Sequence, residues 1–247
     1  MTNTMPLHAF RRPLKRAVPS NAGIFRWAPG LLDASLHAEI FAASHDGAGA
    51  ALALALALDR MACAAADPAA DTPDERPWLW VQDKAAQRLT GRPYRPGLPP
   101  ALRRRLVHVS AKTPEDALFA LEEGLRCRDM AFVLGEVAGN PRALDFTASR
   151  RLSLTAEKHG VPLWLVRLDA ARDLSSARQR WQARSAPSVS PRWNPAAPGT
   201  PAWQAELFRA RAFPPGEWLL GEAPGGRLRE GGAGGGKPSA AGEVLRA

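Results

Sequence analysis

The first segment of the sequence that could do chemistry is a loop in the position of a phosphate-binding loop. A working loop of this kind follows a strand, opens a helix and reads GxxxxGK[ST]. Its glycines expose backbone N–H groups to phosphate, its lysine neutralises charge and its hydroxyl holds Mg²⁺. Here the strand-like segment HAEIFA, residues 37–42, is followed by ASHDGAG and then by a helix-forming run. The surroundings of a nucleotide site are therefore present.

The residues that do the chemistry in such a loop are missing. Ala42 stands at the first glycine, and Gly47 keeps the second. Ala48 and Gly49 replace the lysine and the Ser/Thr. Without the lysine and the hydroxyl, the loop lacks the groups that hold phosphate and Mg²⁺. We therefore predict a degenerate nucleotide loop with no catalytic residue, no cofactor and no metal.

Two further features agree with this loss. A second GxxxxGK match, from Gly231 to Lys237, is followed by proline and lies in a glycine tract with no strand before it, so we interpret it as a chance match. The apolar run MAFVL, residues 130–134, should end in a magnesium-binding aspartate. Gly135 follows it instead and Glu136 comes one place late, so a structural role for Glu136 is favoured.

The composition fits one α/β domain with tails. The chain has 247 residues, of which 45% are hydrophobic, so it can bury a sizeable core. Its net charge of +9 suits a polyanionic partner such as nucleic acid, although the same arginine-rich composition is typical of a GC-rich genome. The apolar run from Ala48 to Leu58 is shorter than the roughly 20 residues that span a bilayer. No membrane contact is therefore expected.

The cysteines indicate a reducing compartment. Cys63 and Cys127 lie far apart, and the sequence contains no CxxC motif and no His/Cys cluster. This pattern argues against a metal site and against a disulfide framework. The arginines near the N-terminus are not followed by an apolar run, so no secretory signal is expected. We predict a cytoplasmic protein.

Three regions are predicted along the chain. Residues 1–30 carry five basic residues and no acidic one, which is typical of either an unpaired tail or a basic binding arm. Residues 31–222 form the structured domain. Residues 223–247 are dominated by Gly, Pro and Ala and are predicted to form a flexible tail, because they cannot bury enough apolar surface to order themselves.

The structured region alternates strand-like and helix-like segments. Repeated strand–helix–strand units need right-handed crossovers and give a mainly parallel sheet. We therefore predict an α/β fold with a mainly parallel central sheet flanked by helices and with antiparallel strands added at its C-terminal end. The predicted strands are residues 37–42, 78–82, 106–110, 130–134, 161–166, 178–184, 203–211 and 217–220, and the predicted helices are 49–66, 145–159 and one that begins after Thr113.

The loops that follow the parallel strands are where a ligand is expected. In open α/β sheets, ligands bind beyond the carboxyl ends of the strands, which meet at one edge. We therefore expect any functional site to lie in a group of four loops. These loops are Ala42–Gly49, Asp83–Ala85, Gly135–Phe146 and Arg167–Ser176.

The order of these segments resembles the RecA core over residues 31–222. Within that superfamily the chain is most similar to the ImuA family of RecA/SulA-like, damage-inducible mutagenesis proteins. RecA proteins have a catalytic glutamate two residues after the aspartate that ends the second core strand. Here Asp83 is present, but Ala85 stands at the glutamate position. The segments that carry the ImuA resemblance are EEGLRC at 122–127, DFTASRRL at 145–152, Arg180-Trp181 and residues 203–211.

The resemblance implies an accessory role without chemistry. ImuA-like proteins act with ImuB, a catalytically inactive relative of the Y-family polymerases, and with an error-prone C-family DNA polymerase in translesion synthesis and SOS mutagenesis. RecA and single-stranded DNA are further candidate partners. The alternatives are an active RecA-type DNA-dependent ATPase, a SulA-like inhibitor of cell division and a single-strand DNA-binding module. The altered loop argues against the ATPase.

Five arginines are predicted to bind DNA. The loops that touch single-stranded DNA in RecA correspond here to residues 137–146 and 168–176, and a basic stretch follows them. Arginine binds phosphate, and the interleaved Trp181 could stack on a base. A solvent-facing edge strand has the same pattern, so that interpretation stays open. The predicted DNA-binding residues are Arg142, Arg172, Arg178, Arg180 and Arg184.

Overall fold

The computed structural model describes residues 26–31, 35–66, 74–188, 191, 193–194 and 196–231. The strands are β1 (His37–Ala42), β2 (Trp78–Asp83), β3 (Leu106–Ala111), β4 (Val133–Ala138), β5 (Leu163–Leu168), β6 (Gln179–Ser185), β7 (Ala202–Ala210), β8 (Gly216–Ala223) and β9 (Arg227–Glu230). The helices are α1 (Ala48–Ala65), α2 (Lys84–Thr90), α3 (Pro100–Arg103), α4 (Pro114–Arg126) and α5 (Phe146–His159).

The strands form one mixed sheet in the order β3-β2-β4-β5-β1-β6-β7-β8-β9. The first six strands of that order pair in parallel. The last three continue the sheet as antiparallel strands. The predicted fold class is thereby confirmed. Because the parallel strands point the same way, the loops after β1, β2, β4 and β5 meet at one edge of the sheet.

Capping hydrogen bonds set where helices α4 and α5 begin, and a glycine sets where α5 ends. Thr113 caps α4 by accepting a hydrogen bond from the backbone N–H of Asp116 at 3.1 Å. Asp145 caps α5 in the same way, with the N–H of Ala148 at 2.7 Å. Gly160 ends α5 in the left-handed conformation, with φ 73°, which glycine adopts without steric cost.

Strand β4 begins three residues later than the sequence predicts. The prediction placed it at residues 130–134, but its ladder with β2 starts at the pair Leu79 and Val133. Phe132 lies before the strand and stacks on Trp78, with ring centroids 4.9 Å apart. The apolar run therefore marks core packing as well as the strand. Glu136 consequently lies inside β4, so its predicted position just past the strand end is wrong.

The sheet also continues beyond the predicted domain boundary at residue 222. Strand β8 runs to Ala223, and β9 pairs with β8 through Ala223 and Arg227. Residues 223–231 therefore belong to the described part of the fold, whereas the prediction placed them in the tail. Residues 232–247, which contain most of the predicted tail, lie outside the described residues. The short elements α2, α3 and β9 were not predicted at all.

Helix α1 and a group of tryptophans cover one face of the sheet. Trp27 packs against Trp181 and Trp218, with ring centroids 4.7 Å and 5.3 Å apart. Trp27 is 5% exposed. Residues 26–30 of the predicted basic arm therefore pack on the sheet. The remainder of that arm, residues 1–25, lies outside the described residues.

Helix α1 is apolar and 18 residues long, so by length and composition alone it could cross a membrane. Half of it is buried inside the fold, against the sheet. Its buried Asp59 accepts hydrogen bonds from the N–H groups of Gly30 at 2.7 Å and Leu228 at 2.9 Å. A carboxylate tied to the sheet edge in this way is expected of a helix that packs in a protein core.

Helices α4 and α5 cover the opposite face side by side. Leucines on the inner side of α4 and the small residues Ala148 and Ala156 of α5 are buried in a second core cluster. Both helices lead into parallel strands, so they run in the same direction. Arg151 of α5 pairs with Glu122 of α4 at 2.7 Å and joins the two helices.

Candidate functional site

The loop between β1 and α1 has the strand–loop–helix geometry that the sequence predicts. Ala42 ends β1 and is buried. Gly47 is the residue before α1, and as a glycine it has no side chain with which to cap the helix. Ala48 and Gly49 are the first two residues of α1, and both are buried. The four residues of the predicted degenerate loop therefore surround the start of one helix.

A carboxylate of the protein lies at the start of α1. Asp46 accepts a hydrogen bond from the backbone N–H of Ala48 at 3.0 Å. It also accepts from the N–H of Ser185 at 2.8 Å and from the Ser185 hydroxyl. Burial opposes ionisation, but these hydrogen bonds outweigh it and hold the pKa of Asp46 below its usual value. A helix start favours an anion, and here the anion is Asp46.

A second carboxylate lies against the same loop. Asp169, which follows β5, accepts a hydrogen bond from the N–H of Ser44 at 2.9 Å. The hydrogen bonds from Ser44 lower the pKa of Asp169. The loop amides of Ser44 and Ala48 thus bind protein carboxylates, and a nucleotide phosphate would have to approach two negative charges.

Gly49 is required by the close packing of the start of α1 against the sheet. A Cβ at this position would lie 2.8 Å from Cγ1 of Val166 and 2.9 Å from Cβ of Ala42. These distances are below van der Waals contact, so the helix start can approach the sheet only with glycine at this position. The glycine that replaces the Ser/Thr of a working loop therefore brings α1 close to β1 and β5.

Restoring the hydroxyl of a working loop is expected to destabilise the protein. Gly49→Ser would overpack the contact with Val166 and Ala42, at a cost of about 1–3 kcal/mol. Gly47→Ser is the matched control, because nothing lies within 4 Å of a Cβ there. Urea unfolding should show a lower midpoint for Gly49→Ser and a nearly unchanged one for Gly47→Ser. Equal midpoints would contradict the packing role of Gly49.

The two acidic residues near the other strand ends have structural partners. Asp83 ends β2 and caps α2 by accepting from the N–H of Ala86 at 2.6 Å. Glu136 is buried in β4 and accepts hydrogen bonds from Gln82 at 2.5 Å and Thr90 at 3.1 Å. Burial raises the pKa of Glu136, and the two hydrogen bonds only partly offset this. Both carboxylates therefore have hydrogen-bond partners in the protein, while Oδ2 of Asp83 is buried without one in the described structure.

The loops after β4 and β5 lie together, as the sheet topology predicts. Asn140 donates to the carbonyl of Ala171 at 3.1 Å and to Asp173 at 2.7 Å, and it accepts from the N–H of Ala171 at 2.7 Å. These bonds join the two segments in which DNA contacts were predicted. The segments therefore form one rim beyond the carboxyl ends of the strands.

Two of the five predicted DNA-binding arginines are already paired with carboxylates on the surface. Arg172 contacts Glu206 at 2.8 Å and lies 3.9 Å above the ring of Phe208. Arg178 contacts Glu157 at 2.6 Å. Both pairs are partly exposed, so a phosphate would compete with a carboxylate of the protein for each guanidinium.

The other three predicted arginines differ sharply in exposure. Arg180 is 3% exposed and pairs with buried Glu39, with Nε 2.8 Å from Oε2. Its guanidinium does not face solvent, so it is not placed to contact DNA. Arg142 and Arg184 are exposed, and within the described residues neither has an ion pair. The prediction of DNA contact is therefore best retained for Arg142 and Arg184.

A buried ionic cluster that the sequence analysis missed lies beside this rim. Glu39 is 0% exposed in the middle of β1 and contacts Arg180 and also Arg167, whose Nη1 lies 3.5 Å from Oε1. Asp173 in the loop after β5 contacts both arginines, at 3.3 Å and 3.7 Å. The hydroxyl of Ser175 donates to Glu39 at 2.8 Å. The cluster fixes the β5–β6 connection onto the sheet.

A sequence signal for this cluster was present. Glu39 is a charged residue inside the mostly apolar segment HAEIFA, and Arg167 lies inside the mostly apolar strand β5. A charge in a buried strand is almost always paired. The signal identifies the charged residues but not their partners, because Glu39 and Arg180 are 141 positions apart in the chain.

Comparison with known proteins identifies relatives for about half of the chain. No family model matches the sequence. Two curated proteins, each named Protein ImuA, match at 34% identity over 126 residues; they come from Caulobacter vibrioides strains NA1000 / CB15N and ATCC 19089 / CIP 103742 / CB 15. The match covers 47% of this chain and 50% of each relative, so the chain spans about half the length of the curated relatives it matches. The resemblance of this chain to the ImuA family is thereby confirmed over the matched residues.

Proposed function

We propose that this protein is a non-catalytic accessory factor in damage-inducible mutagenesis, with a RecA-like core whose nucleotide loop is no longer used. The resemblance to ImuA supports the biological process. The mixed sheet, parallel at its centre with antiparallel strands at the C-terminal end, is consistent with the RecA-like core. The loop between β1 and α1 supports the loss of catalysis.

The observation that carries the proposal is the position of Asp46. In a working loop, the N–H groups at the start of the helix bind phosphate and the lysine offsets the charge. Here the N–H of Ala48 binds the Asp46 carboxylate, and alanine stands where the lysine would be. Binding MgATP would bring phosphates toward a carboxylate whose pKa is lowered and which is therefore ionised at neutral pH.

The proposed partners follow from the family resemblance. ImuA-like proteins act with an ImuB-like inactive Y-family polymerase and an error-prone C-family polymerase, and we propose the same assembly for this chain in the cytoplasm. RecA is a further candidate partner. Contact with single-stranded DNA is proposed only at Arg142 and Arg184, because the other three predicted arginines are paired with carboxylates.

The first experiment measures MgATP binding and hydrolysis by the purified chain, with and without single-stranded DNA. We expect neither binding by calorimetry nor turnover, whereas an active RecA protein in the same assay should show both. A pull-down with an ImuB-like protein should succeed under the same conditions.

DNA-stimulated ATP hydrolysis would overturn the proposal, provided that this chain itself catalyses it. Glu136→Gln tests this, because Glu136 is the carboxylate that could substitute for the missing magnesium-binding aspartate. Turnover that disappears in this variant would establish the ATPase alternative. If the chain neither hydrolyses ATP nor binds the ImuB-like protein, the proposed loss of catalysis stands. The proposed assembly with ImuB is then contradicted.

A further inference from the structure

Helix α5 turns a leucine and several basic residues toward solvent. Leu154 is 51% exposed, whereas Leu152 and Ala156, two positions away on either side, are buried in the core. At about 100° per residue, Leu154 therefore lies on the side of the helix that faces away from the sheet. A single exposed leucine needs no explanation, but this one lines a shallow open depression of about 310 Å³. The residues that line the depression all belong to α5 and are Thr147, Arg150, Arg151, Leu154, Thr155 and Lys158.

Basic side chains lie one helical turn to either side of Leu154. Arg150 and Lys158 are exposed, four residues before and after it, so both lie on its side of the helix. Within the described residues, neither of them has an ion pair. Arg151, whose side chain is 53% exposed, adds a third positive charge on the flank toward α4. The depression therefore combines an apolar residue with cationic groups around it.

The basic surface continues past the C-terminal end of α5. Burial and then the positive charges of Lys158, Arg128 and Arg126 lower the pKa of His159. Because all three act on one imidazole, they lie near one another. Arg128 is exposed and has no ion pair in the part of the chain that the structure describes. The positive charge therefore extends from α5 to the end of α4.

The carboxylates of α5 and of its seam with α4 are paired inside the fold. Glu157 contacts Arg178 at 2.6 Å. Glu122 has a side chain that is 12% exposed, and it contacts both Arg126 and Arg151, at 2.6 Å and 2.7 Å. These acids are already neutralised, so the unpaired bases of the depression remain available to a partner.

The exposed acids at the start of α4 lie toward the other end of the layer. Helices α4 and α5 run in the same direction, and Glu122 contacts Arg151. Glu115 and Asp116 precede Glu122 by seven and six residues, and Lys158 follows Arg151 by seven. At 1.5 Å per residue, these offsets place the two acids about 20 Å from Lys158 along the helix axes. The C-terminal half of the basic surface therefore has no neighbouring acid from this pair.

We propose that this surface of α5 binds an acidic amphipathic helix of a partner protein. Such a helix would set a large apolar side chain against Leu154 and carboxylates, one turn to either side, against Arg150 and Lys158. Along α5 the backbone is already hydrogen-bonded within the helix, so an extended peptide would gain no main-chain bonds, whereas a helix brings its own backbone satisfied. The site goes beyond the proposed function, because neither the nucleotide loop nor the arginines proposed to contact DNA take part in it.

A protein helix fits this surface better than a nucleic acid does. Phosphates would pair with the bases but would leave Leu154 without a partner, and leucine offers no aromatic face on which a base could stack. Phe146, the aromatic residue of α5, is exposed but does not line the depression. The apolar residue among the bases therefore selects a partner that carries both carboxylates and an apolar side chain.

The test measures binding of a fluorescein-labelled helical peptide to the full chain by fluorescence anisotropy. The peptide has leucine at its centre and glutamates four residues before and after it. We expect saturable binding that Leu154→Ala and Arg150→Glu/Lys158→Glu each weaken by about tenfold or more. Lys84→Glu/Arg104→Glu is the matched control, since it makes the same change in net charge at exposed positions on other elements and should leave binding unchanged. Thermal melting of each variant establishes that it is folded.

A second peptide, with lysines in place of the glutamates, separates loss of charge pairing from loss of folding. It should bind Arg150→Glu/Lys158→Glu more tightly than it binds the unmodified chain, because opposite charges meet again. The proposal is overturned if the acidic peptide does not bind, or if it binds Leu154→Ala as tightly as the unmodified chain. It is also overturned if an oligonucleotide of equal negative charge binds as tightly and is weakened equally by the double variant. Self-association of the chain that the double variant abolishes would assign the surface to a second copy and would likewise overturn it.

Discussion

Replacing Glu39 with glutamine is expected to lower the free energy of unfolding by about 3–5 kcal/mol, because a buried ion pair would lose one partner. Glu39 is fully buried, and it is the carboxylate that lies between the guanidinium groups of Arg167 and Arg180. Both arginines are themselves 3% exposed or less. Neutralising Glu39 would leave two buried positive charges with Asp173 as their nearest carboxylate in the described structure.

The partial exposure of Asp173 explains why it cannot replace Glu39. Its side chain is 34% exposed, and it lies 3.7 Å from Arg180 and 3.3 Å from Arg167. Glu39, in contrast, accepts a 2.8 Å hydrogen bond from Arg180 inside the sheet. A cost of this size is a large fraction of the roughly 5–15 kcal/mol that stabilises a typical domain.

Urea unfolding measures this cost, with Glu206→Gln as the matched control. Glu206 also pairs with an arginine, Arg172, at 2.8 Å, but both side chains are about 40% exposed. An exposed pair contributes at most about 1 kcal/mol, so the control should stay close to the unmodified protein. If the two variants lost equal stability, burial of the Glu39 cluster would not be the cause.

The fold was predictable where local sequence decides structure. Helix α4 begins after Thr113 as the sequence predicts, because a capping side chain bonds to a backbone N–H only a few residues away. Asp145, which the prediction placed inside the next helix, caps α5 in the same way. The position of β4 was not predictable in the same way. The run from Met130 onward is uniformly apolar, and only the pairing of Leu79 with Val133 sets where the strand begins.

The sequence shows which residues of a working nucleotide loop are missing, but it does not show which protein groups occupy their place. Reading the loop residue by residue identifies the missing lysine at Ala48. It does not reveal that Asp46 binds at the helix start, since its second partner, Ser185, is 139 positions away. The prediction that Arg180 contacts DNA did not anticipate its burial, because its partner Glu39 is also far away in the chain. Alternating arginines on a strand look alike in sequence, and only a distant Glu39 distinguishes the buried one from the exposed Arg184.

Acidification is expected to destabilise the protein through His37. This side chain is 1% exposed, and its Nδ1 lies 2.7 Å from the hydroxyl of Ser153. Burial lowers the pKa of His37 from 6.5 to about 4; Glu39 opposes the shift, and the positive charges of Arg178 and Arg180 add to it. The folded protein therefore keeps His37 neutral over a pH range in which the unfolded chain binds a proton.

The sign of the effect follows from proton uptake by the unfolded state. Above pH 6.5, His37 is neutral in both states and its full contribution to stability is present. Between pH 6.5 and about 4 the unfolded state binds the extra proton, so stability falls as the pH falls. The shift corresponds to a loss of about 3 kcal/mol across that range.

Comparing unfolding free energies at several pH values with those of His37→Asn isolates this contribution. Asparagine retains a polar group that can bond to Ser153 but does not titrate, so its lower absolute stability is an offset that does not vary with pH. Carboxylates that titrate near pH 4 affect both proteins alike, and the difference between the two curves reports His37 alone. That difference should be constant above pH 7 and shrink steadily toward pH 4, because only the unmodified protein must exclude a proton. Parallel curves over the whole range would mean that His37 accepts its proton inside the fold, and burial would then not control its charge.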